Sequence, residues 1–282
     1  MTATGEQPAD VVISAASLLA ELAAGTDVVL LDVRRDDSAA ARAAYQAGHL
    51  PGAHFVTLTA QLAGPRSAFS GTNPLPADGA IQADVRRWGI NPGSLVVVYS
   101  AESPAIATRG WWVLRWAGVP DVRYLDGGVG AWVTAGGSLS TDEPAEGSGT
   151  FIVATGSLPT LDADDAARLA RTGLLLDARG PDAYAGGAPG TGHIPGALSA
   201  PGTANVNADG LLKAREELQA HYAALGADGR PEVGVYCGGG VAATLDILAL
   251  TRLGVPAALY PGSWSAWSAD PARPAAAGDQ PG

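Results

Sequence analysis

The feature that most constrains the fold of this chain is an internal repeat, because four short blocks of the first half return in the same order in the second. The paired blocks are VVLLDVRRDD and LLLDARGPD, AGHLPGA and TGHIPGA, LVVVYS and EVGVYC, and YLDGGVGAW and LYPGSWSAW. The separation of partners falls from 145 residues (Asp32 and Asp177) to 135 (Trp132 and Trp267), as differences in loop length would produce. A solenoid would show a shorter period, repeated more often. The 282 residues are therefore predicted to form two duplicated domains.

Each half alternates apolar runs of strand length with helical stretches. The apolar runs are DVVLLDV, SLVVVYS, GLLLDA and EVGVY, and such continuous runs suit strands that are buried on both faces of a parallel sheet. The helical stretches cover residues 14–25, 105–118, 161–173 and 242–254, and each closes on a glycine. We predict an α/β protein with two tandem domains, each a parallel sheet with helices on both faces.

A change in composition marks the predicted boundary between the domains. Residues 134–150 are rich in Gly, Ser, Pro and acidic side chains, which is typical of a linker. We expect an N-terminal domain at 1–136, a linker at 137–155 and a C-terminal domain at 156–282. The last residues, DPARPAAAGDQPG, are expected to fray.

Charge and composition exclude several classes of partner. The formal net charge is -11 and Lys213 is the only lysine, so no basic face is expected for nucleic acid or an anionic membrane surface. No stretch approaches the ~20 apolar residues of a membrane span, and the N-terminus lacks the features of a secretory leader, so we expect a cytoplasmic protein. The four histidines show no metal-ligand spacing, and we predict neither a metal nor a cofactor.

The single cysteine, Cys237, lies at the end of an apolar run and directly before three glycines. In a parallel sheet, ligands bind beyond the carboxyl ends of the strands, and EVGVY delivers Cys237 to that edge. Three glycines (Gly238, Gly239 and Gly240) can adopt positive φ and let backbone N–H groups converge on one point. A helix is expected to begin near residues 242–243, and its N-terminus favours an anion in the loop. The natural anion is the sulfur of Cys237 or a group bonded to it.

Other interpretations of this loop were weighed. A buried cysteine is often only a small hydrophobic side chain, but the glycines and the sheet edge favour a functional thiol here. A nucleotide-binding loop would carry a lysine that this segment lacks. A cysteine phosphatase would have an arginine six residues after its cysteine, where this chain has Ala243.

Together, CGGGVA, the blocks GHLPGA and GHIPGA, the strand ends LLDVR and LLDAR, and YPGSWSAW resemble the two-domain rhodanese family, in particular the thiosulfate and 3-mercaptopyruvate sulfurtransferases. The resemblance covers about residues 11–268. It implies that Cys237 attacks the sulfane sulfur of a donor, carries it as a persulfide cradled by residues 238–242, and yields it to a thiophilic acceptor. It also implies an N-terminal domain without a catalytic cysteine, and Ser100 occupies the place of Cys237 there.

The predicted site comprises Cys237 as nucleophile, the loop Gly238, Gly239, Gly240, Val241 and Ala242, and Arg179 as an electrostatic or orienting group. A salt bridge that pins the strand is the favoured role for Arg179. Because both halves have the same histidine, His49 and His193 are expected to be structural. Trp264 and Trp267 are expected to pack the domain, and Trp264 could line the pocket.

The chain departs from the family pattern where relatives recognise their donors. Gly239 stands where relatives have Ser or Lys, and Ala242 stands where they have Thr. Ala183 lies near the position of a donor-binding arginine, and the following loop lacks a second one before His193.

We expect a sulfurtransferase whose partners are a small sulfur donor and an external acceptor, since no second cysteine could resolve the persulfide. The acceptor would be cyanide, a small thiol or a reduced protein thiol. The alternative is a persulfide carrier or binding protein that receives sulfur from a partner protein without turnover of small donors.

Overall fold

A computed structural model describes residues 10–188 and 191–282 as two α/β halves. The elements of the first half are β1 (Val12–Ile13), α1 (Ala15–Ala23), β2 (Val28–Arg34), α2 (Ala39–Ala47), β3 (His54–Thr57), α3 (Leu58–Gln61), α4 (Asp78–Arg87), β4 (Leu95–Tyr99), α5 (Pro104–Trp116), β5 (Val122–Leu125) and α6 (Gly128–Thr134). Those of the second half are α7 (Ala163–Thr172), β6 (Leu175–Asp177), α8 (Pro181–Ala185), β7 (Leu198–Ser199), a 3-10 turn (Gly202–Asn205), α9 (Arg215–Ala224), β8 (Val233–Tyr236), α10 (Ala243–Leu253), β9 (Ala257–Leu259) and α11 (Ser263–Trp267).

Each half is built on one parallel sheet, which confirms the predicted α/β class. The strand orders are β1-β5-β4-β2-β3 and β7-β6-β8-β9, and every pair of neighbours is parallel. The counterpart of β1 in the second half is reduced to a single parallel bridge between Thr160 and Leu259. Because β4 and β8 lie inside their sheets, all their residues are buried, as continuous apolar runs require.

Local sequence explains where the main helices begin and end. Serine side chains cap α1 and α5, since Ser14 accepts from Ser17 N–H and Ser103 accepts from Ala105 N–H. Gly254 closes α10 with φ 79°, in the left-handed region that glycine favours. The four helical stretches predicted from the sequence correspond to α1, α5, α7 and α10.

The two halves share one hydrophobic core. A continuous cluster of buried side chains includes Val98 and Trp111 of the first half and Val235 and Leu248 of the second. Helices α5 and α10 pack against each other across the boundary, and the hydroxyls of Thr108 and Thr244 lie 2.9 Å apart there. These two helices follow corresponding strands, so the carboxyl ends of β4 and β8 meet at the same boundary.

A buried Tyr–His pair recurs in both halves and explains the repeated GH[LI]PGA block. Tyr45 stacks on His49 with ring centroids 3.7 Å apart, and Tyr184 stacks on His193 at 3.8 Å. Both nitrogens of each imidazole lie 2.9–3.2 Å from backbone carbonyl oxygens. The rings are therefore occupied by the scaffold, in agreement with the structural role expected for both histidines.

In each half, a segment that follows the last helix pairs with the backbone of the buried histidine. Ser140 pairs with His49 as an antiparallel bridge, and Ala276 pairs with His193 in the same way. The expectation that the C-terminal tail frays was wrong, because the Pro281 carbonyl also accepts the Gly196 N–H at 2.6 Å. The segment up to residue 157 bonds along the first half through several backbone N–H groups. The domain limits at 136 and 156 stay a prediction.

In the part of the chain that the structure describes, none of the helices has the length and apolar character needed to cross a membrane.

Removing one tyrosine hydroxyl should destabilise its half. Tyr184 donates to the buried Ala197 carbonyl at 2.7 Å, and Tyr45 donates to the Ala53 carbonyl at 2.6 Å. We expect Tyr184→Phe and Tyr45→Phe each to lower the free energy of unfolding by about 1–3 kcal/mol, since each leaves a buried acceptor unpaired. Urea titration measures the loss. Unchanged midpoints in both variants would show that these bonds do not stabilise the fold.

A second prediction concerns the buried carboxyl of Asp246 on α10. Its Oδ1 accepts from Asn205 at 2.6 Å, its Oδ2 has no partner among the described residues, and burial raises its pKa well above the usual value. The folded protein therefore retains a proton that the unfolded chain loses above pH ~4, so stability falls as the pH rises. We expect Asp246→Asn to make the decline between pH 5 and 7 shallower by about 1 kcal/mol per pH unit. Urea titrations at pH 5, 6 and 7 measure the slope.

The exposed Asp209 provides the control for this titration. Asp209→Asn should leave the wild-type slope unchanged. If Asp246→Asn also retained that slope, Asp246 would be ionised in the folded protein.

Candidate active site

Cys237 lies immediately after β8, at the carboxyl edge of the second sheet, and is 2% exposed. Its Sγ accepts the N–H of Val241 at 3.2 Å, so the loop folds back over the sulfur before α10 begins at Ala243. Its own N–H donates to Ser263 Oγ at 3.2 Å. The sulfur is therefore held against a helix N-terminus with one backbone donor directed at it, which favours a negative charge there.

The three loop glycines have different roles, and one of them uses the positive φ that glycine allows. Of the three, only Gly240 has a positive φ, at 73°, and a Cβ there would lie 2.7 Å from the Pro261 carbonyl oxygen. A Cβ on Gly239 would lie 2.9 Å from the Cβ of Thr72 in the first half. Gly239 thus permits close approach of the two halves, and Gly240 permits the turn toward α10.

Ser263 supports the cysteine from a backbone conformation that serine rarely adopts. It has φ 52°, and it is the sole non-glycine residue with positive φ in the described chain. Its counterpart in the first half is Gly128, which has the same φ of 52°. The turn therefore has the same backbone conformation in both halves, but in the second half it carries the Ser263 hydroxyl. This hydroxyl accepts from the Cys237 N–H and donates to the Tyr260 carbonyl at 2.9 Å.

The first half contributes a loop that closes over the cysteine loop. Asn73 Nδ2 donates to the Gly239 carbonyl at 2.8 Å, and Thr72 N–H donates to Ser265 Oγ at 2.9 Å. These contacts join residues that are 166 and 193 positions apart in the chain. Both halves therefore fix the conformation of the loop that carries the thiol.

Arg109 on α5 places a buried cation beneath the cysteine loop. Its side chain is fully buried and donates to three backbone carbonyls, those of Leu62, Asn73 and Gly240, at 2.9–3.3 Å. Burial lowers the pKa of Arg109 to about 10, and the neighbouring Cys237 opposes that shift. Among the described residues no carboxylate forms an ion pair with Arg109, and Cys237 is the neighbouring acidic group that acts on its charge.

A cleft of about 470 Å³ opens beside the sulfur and is lined by both halves. The lining residues are Arg35, Thr72, Asn73, Ser103, Ala105, Ile106, Cys237, Gly238, Gly239, Val241 and Ala242. Arg35 is the charged member of this set, and it comes from the half without the cysteine. Gly240 lies behind the lining, against Pro261 and Arg109.

Ser100 occupies the place of Cys237 in the first half but serves its own loop. Its Oγ accepts from Glu102 N–H at 3.1 Å and Ser103 N–H at 3.5 Å. Ser100 is not among the residues that line the cleft. Its hydroxyl supports the turn into α5, as expected for a structural residue.

Arg179 is held by the scaffold. Its guanidinium donates two-pronged hydrogen bonds to the Asp177 carboxylate at 2.6–3.1 Å and a further one to the Gly192 carbonyl at 2.6 Å. Its Cζ lies 4.7 Å from the ring centroid of Trp264. Arg34 makes the same fork onto Asp32 in the first half, where no cysteine exists. This pairing supports the pinning role favoured for Arg179.

Both tryptophans of α11 pack away from the cleft, so the expectation that Trp264 could line the pocket was wrong. The ring of Trp264 contacts Arg179, and the backbone N–H of Trp264 donates to the Cys237 carbonyl at 2.9 Å. Trp267 is buried and donates to Pro274 O. Within residues 10–188 and 191–282, no group of three His, Cys, Asp or Glu side chains is placed to hold a metal.

Sequence reasoning missed four residues of this site, namely Arg35, Asn73, Arg109 and Ser263. Asn73 and Arg109 act across the boundary between the halves, which no local pattern reveals. Ser263 and Arg35 could have been found from the sequence, because each aligns with a glycine in the other copy of the repeat.

Most of the chain is similar to known proteins. The model of the rhodanese-like domain matches residues 14–135 and 162–270. The protein named "Putative thiosulfate sulfurtransferase SseB" of Mycobacterium tuberculosis is 42% identical over 278 residues, covering 95% of this chain and 97% of that protein. The "Probable 3-mercaptopyruvate sulfurtransferase" of Pseudomonas aeruginosa is 40% identical over 267 residues, covering 90% and 93%.

Among solved structures, the anaerobic ergothioneine biosynthesis enzyme of Chlorobium limicola superposes with a TM-score of 0.83 at 23% identity, covering 96% of this chain and 71% of that one. At this identity the likeness concerns the fold. The two matches to the domain model coincide with the two sheets described above, and the chain therefore belongs to the rhodanese family and contains two rhodanese-like domains.

Proposed function

We propose that this chain is a sulfurtransferase that moves sulfane sulfur from a donor such as thiosulfate or 3-mercaptopyruvate to a thiophilic acceptor through a persulfide on Cys237. The observation that carries the proposal is the position of the only sulfur nucleophile. Cys237 lines a cleft between the halves, accepts the Val241 N–H, and lies above the buried Arg109 cation. The names of the relatives support the same chemistry.

In the first step the Cys237 thiolate attacks the outer sulfur of the donor. With thiosulfate, a new S–S bond forms to Cys237, the original S–S bond breaks, and sulfite leaves with the bonding electrons. With 3-mercaptopyruvate, the C–S bond breaks, and the resulting enolate takes up the proton of the donor thiol to give pyruvate. The product in both cases is a Cys237 persulfide whose terminal sulfur carries the negative charge.

The loop is suited to hold this persulfide. The Val241 N–H donates to the Cys237 Sγ at the N-terminus of α10, and a donor already placed there stabilises an anion without reorganisation. Gly238 has open space around its Cα, so its side of the loop leaves room for a second sulfur atom.

In the second step the acceptor attacks the terminal sulfur, the S–S bond breaks, and the Cys237 thiolate is restored. Cyanide would leave as thiocyanate, and a thiol would leave as a persulfide. Cys237 is the only cysteine, so a thiol acceptor, small or protein-bound, comes from outside the chain. A cytoplasmic location stays a prediction from the sequence.

One observation keeps the carrier alternative in view. Among the described residues of the second half, no cation lines the cleft, and Arg179 is bonded to Asp177 and Gly192. A protein that only stores persulfide sulfur would gain the sulfur mass from a persulfide source but would not turn over thiosulfate or 3-mercaptopyruvate.

Replacing the nucleophile should abolish turnover. We expect Cys237→Ser to reduce thiocyanate formation from thiosulfate and cyanide at least about 1000-fold, since a hydroxyl cannot form the persulfide. Intact-mass analysis after donor treatment should show a gain of about 32 Da, one sulfur atom, in the wild type and none in the variant. Ser100→Ala is the matched control and should retain wild-type activity. Full activity of Cys237→Ser would refute the proposal.

Removing the buried cation should slow every reaction of the thiol. We expect Arg109→Met to lower the rate of Cys237 alkylation by iodoacetamide at pH 7 about tenfold, because the thiolate loses its buried counter-charge. Arg109→Lys keeps the charge without the fork and should recover part of that rate. Circular dichroism and urea titration establish that each variant is folded. A folded Arg109→Met with the wild-type rate would show that the cation does not act on the sulfur.

A further inference from the structure

We propose that Arg35, which belongs to the half without the cysteine, binds the anionic group of the sulfur donor and so determines its specificity. This inference rests on the proposed function and deepens it. The anionic group is the sulfonate end of thiosulfate or the carboxylate of 3-mercaptopyruvate, and both present oxygen atoms that a guanidinium fork can bind.

The position of Arg35 follows from the sheet. It comes directly after β2, at the carboxyl edge of the first sheet, and it lines the same 470 Å³ cleft as Cys237. The other polar side chains that line the cleft besides the thiol are Thr72, Asn73 and Ser103, which are neutral. Among the lining residues, the positive charge therefore comes from Arg35 alone.

Arg35 is available to a ligand. Its backbone N–H donates to the Glu102 carboxylate at 3.2 Å, while its guanidinium makes no hydrogen bond or ion pair with any residue in 10–188 or 191–282. Arg34 and Arg179, by contrast, are both forked onto aspartates two positions before them. The carboxylates near Arg35 are Glu102, which is exposed and accepts its backbone N–H, and Asp36, whose pKa is lowered mainly by its hydrogen bonds from Ser38 and also by Arg35, so a donor would compete with these two groups.

Comparison of the two copies shows that Arg35, unlike its neighbours, is not common to both halves. Asp32 and Arg34 align with Asp177 and Arg179, and each pair makes the same ion pair. The next residue is Arg35 in the first half and Gly180 in the second. Since the fold of a half does not require an arginine there, the cation serves the one cleft that holds a cysteine.

The need for a cation is electrostatic. The chain carries a formal charge of -11, which repels an anionic donor, and the thiolate itself adds a negative charge at the point of attack. A guanidinium at the cleft raises the local concentration of anions and orients them by paired N–H donors. Such a residue lowers KM more than it raises kcat, because it contacts the end of the donor that does not react.

Steady-state kinetics provide the first test. We expect Arg35→Gln to raise KM about tenfold or more for the donor whose anion it binds, with kcat changed less than about threefold. Arg35→Lys should recover part of the loss, and the exposed Arg86→Gln on α4, which removes the same charge away from the cleft, should have no effect. Separate measurements with thiosulfate and 3-mercaptopyruvate identify which anion is bound. If neither KM exceeded that of Arg86→Gln, the inference would be overturned.

Alkylation provides a test that does not depend on turnover. Iodoacetate and iodoacetamide modify the single cysteine by the same displacement of iodide, but only iodoacetate carries a carboxylate. We expect Arg35→Gln to lower the ratio of the iodoacetate rate to the iodoacetamide rate at least about fivefold at low salt, and Arg86→Gln to leave it unchanged. The modified protein is followed by intact mass.

The two failures are distinguishable. An unchanged alkylation ratio in Arg35→Gln overturns the anion-binding role even if the wild type is an active sulfurtransferase. If Arg35→Gln lowers the ratio while the wild type turns over neither donor, the anion site is supported and the proposed function is refuted.

Discussion

The arrangement of the site depends on one buried guanidinium. Arg109 makes four hydrogen bonds to three backbone carbonyls, two in its own half and one in the loop of the other. A fully buried charge is costly when its donors lose their partners. Moving the halves apart would break the bond to Gly240, so Arg109 favours one relative position of the two halves. The same contact sets the Gly240 turn, and through it the direction of the Val241 N–H toward sulfur.

The sequence was sufficient to predict the two sheets and the place of the thiol. Strand patterns, the paired GH[LI]PGA blocks and the Cys237–Ser100 correspondence predicted the two parallel sheets and the position of the thiol, since these depend on local periodicity. The contacts that complete the cleft were not predictable in this way. Asn73 meets Gly239 across 166 residues, and the identity of that contact is decided by the packing of α5 on α10. Two of the missed residues, Arg35 and Ser263, were nevertheless detectable, because the aligned copies have Gly180 and Gly128 there.

The differences between the two copies that bear on the site lie at one edge of the molecule. Identical Tyr–His stacks and Asp–Arg forks maintain each half, whereas Ser100 against Cys237 and Gly128 against Ser263 distinguish the edge where the thiol lies. The half without a cysteine is therefore part of the site, since its 71–74 loop and α5 fix the loop that holds the sulfur.

The antiparallel bridge over each histidine has a consequence for how the chain is joined. Ser140 covers His49 from the segment that leads into the second half, and Ala276 covers His193 from the C-terminal tail. The connector and the tail are thus equivalent parts of the two copies. A head-to-tail fusion of two such copies would need no separate linking sequence, because the segment that covers His49 in the first copy also leads into the second. The domain match that stops at residue 270 leaves out Pro281, whose carbonyl oxygen lies 3.2 Å from His193 Nε2.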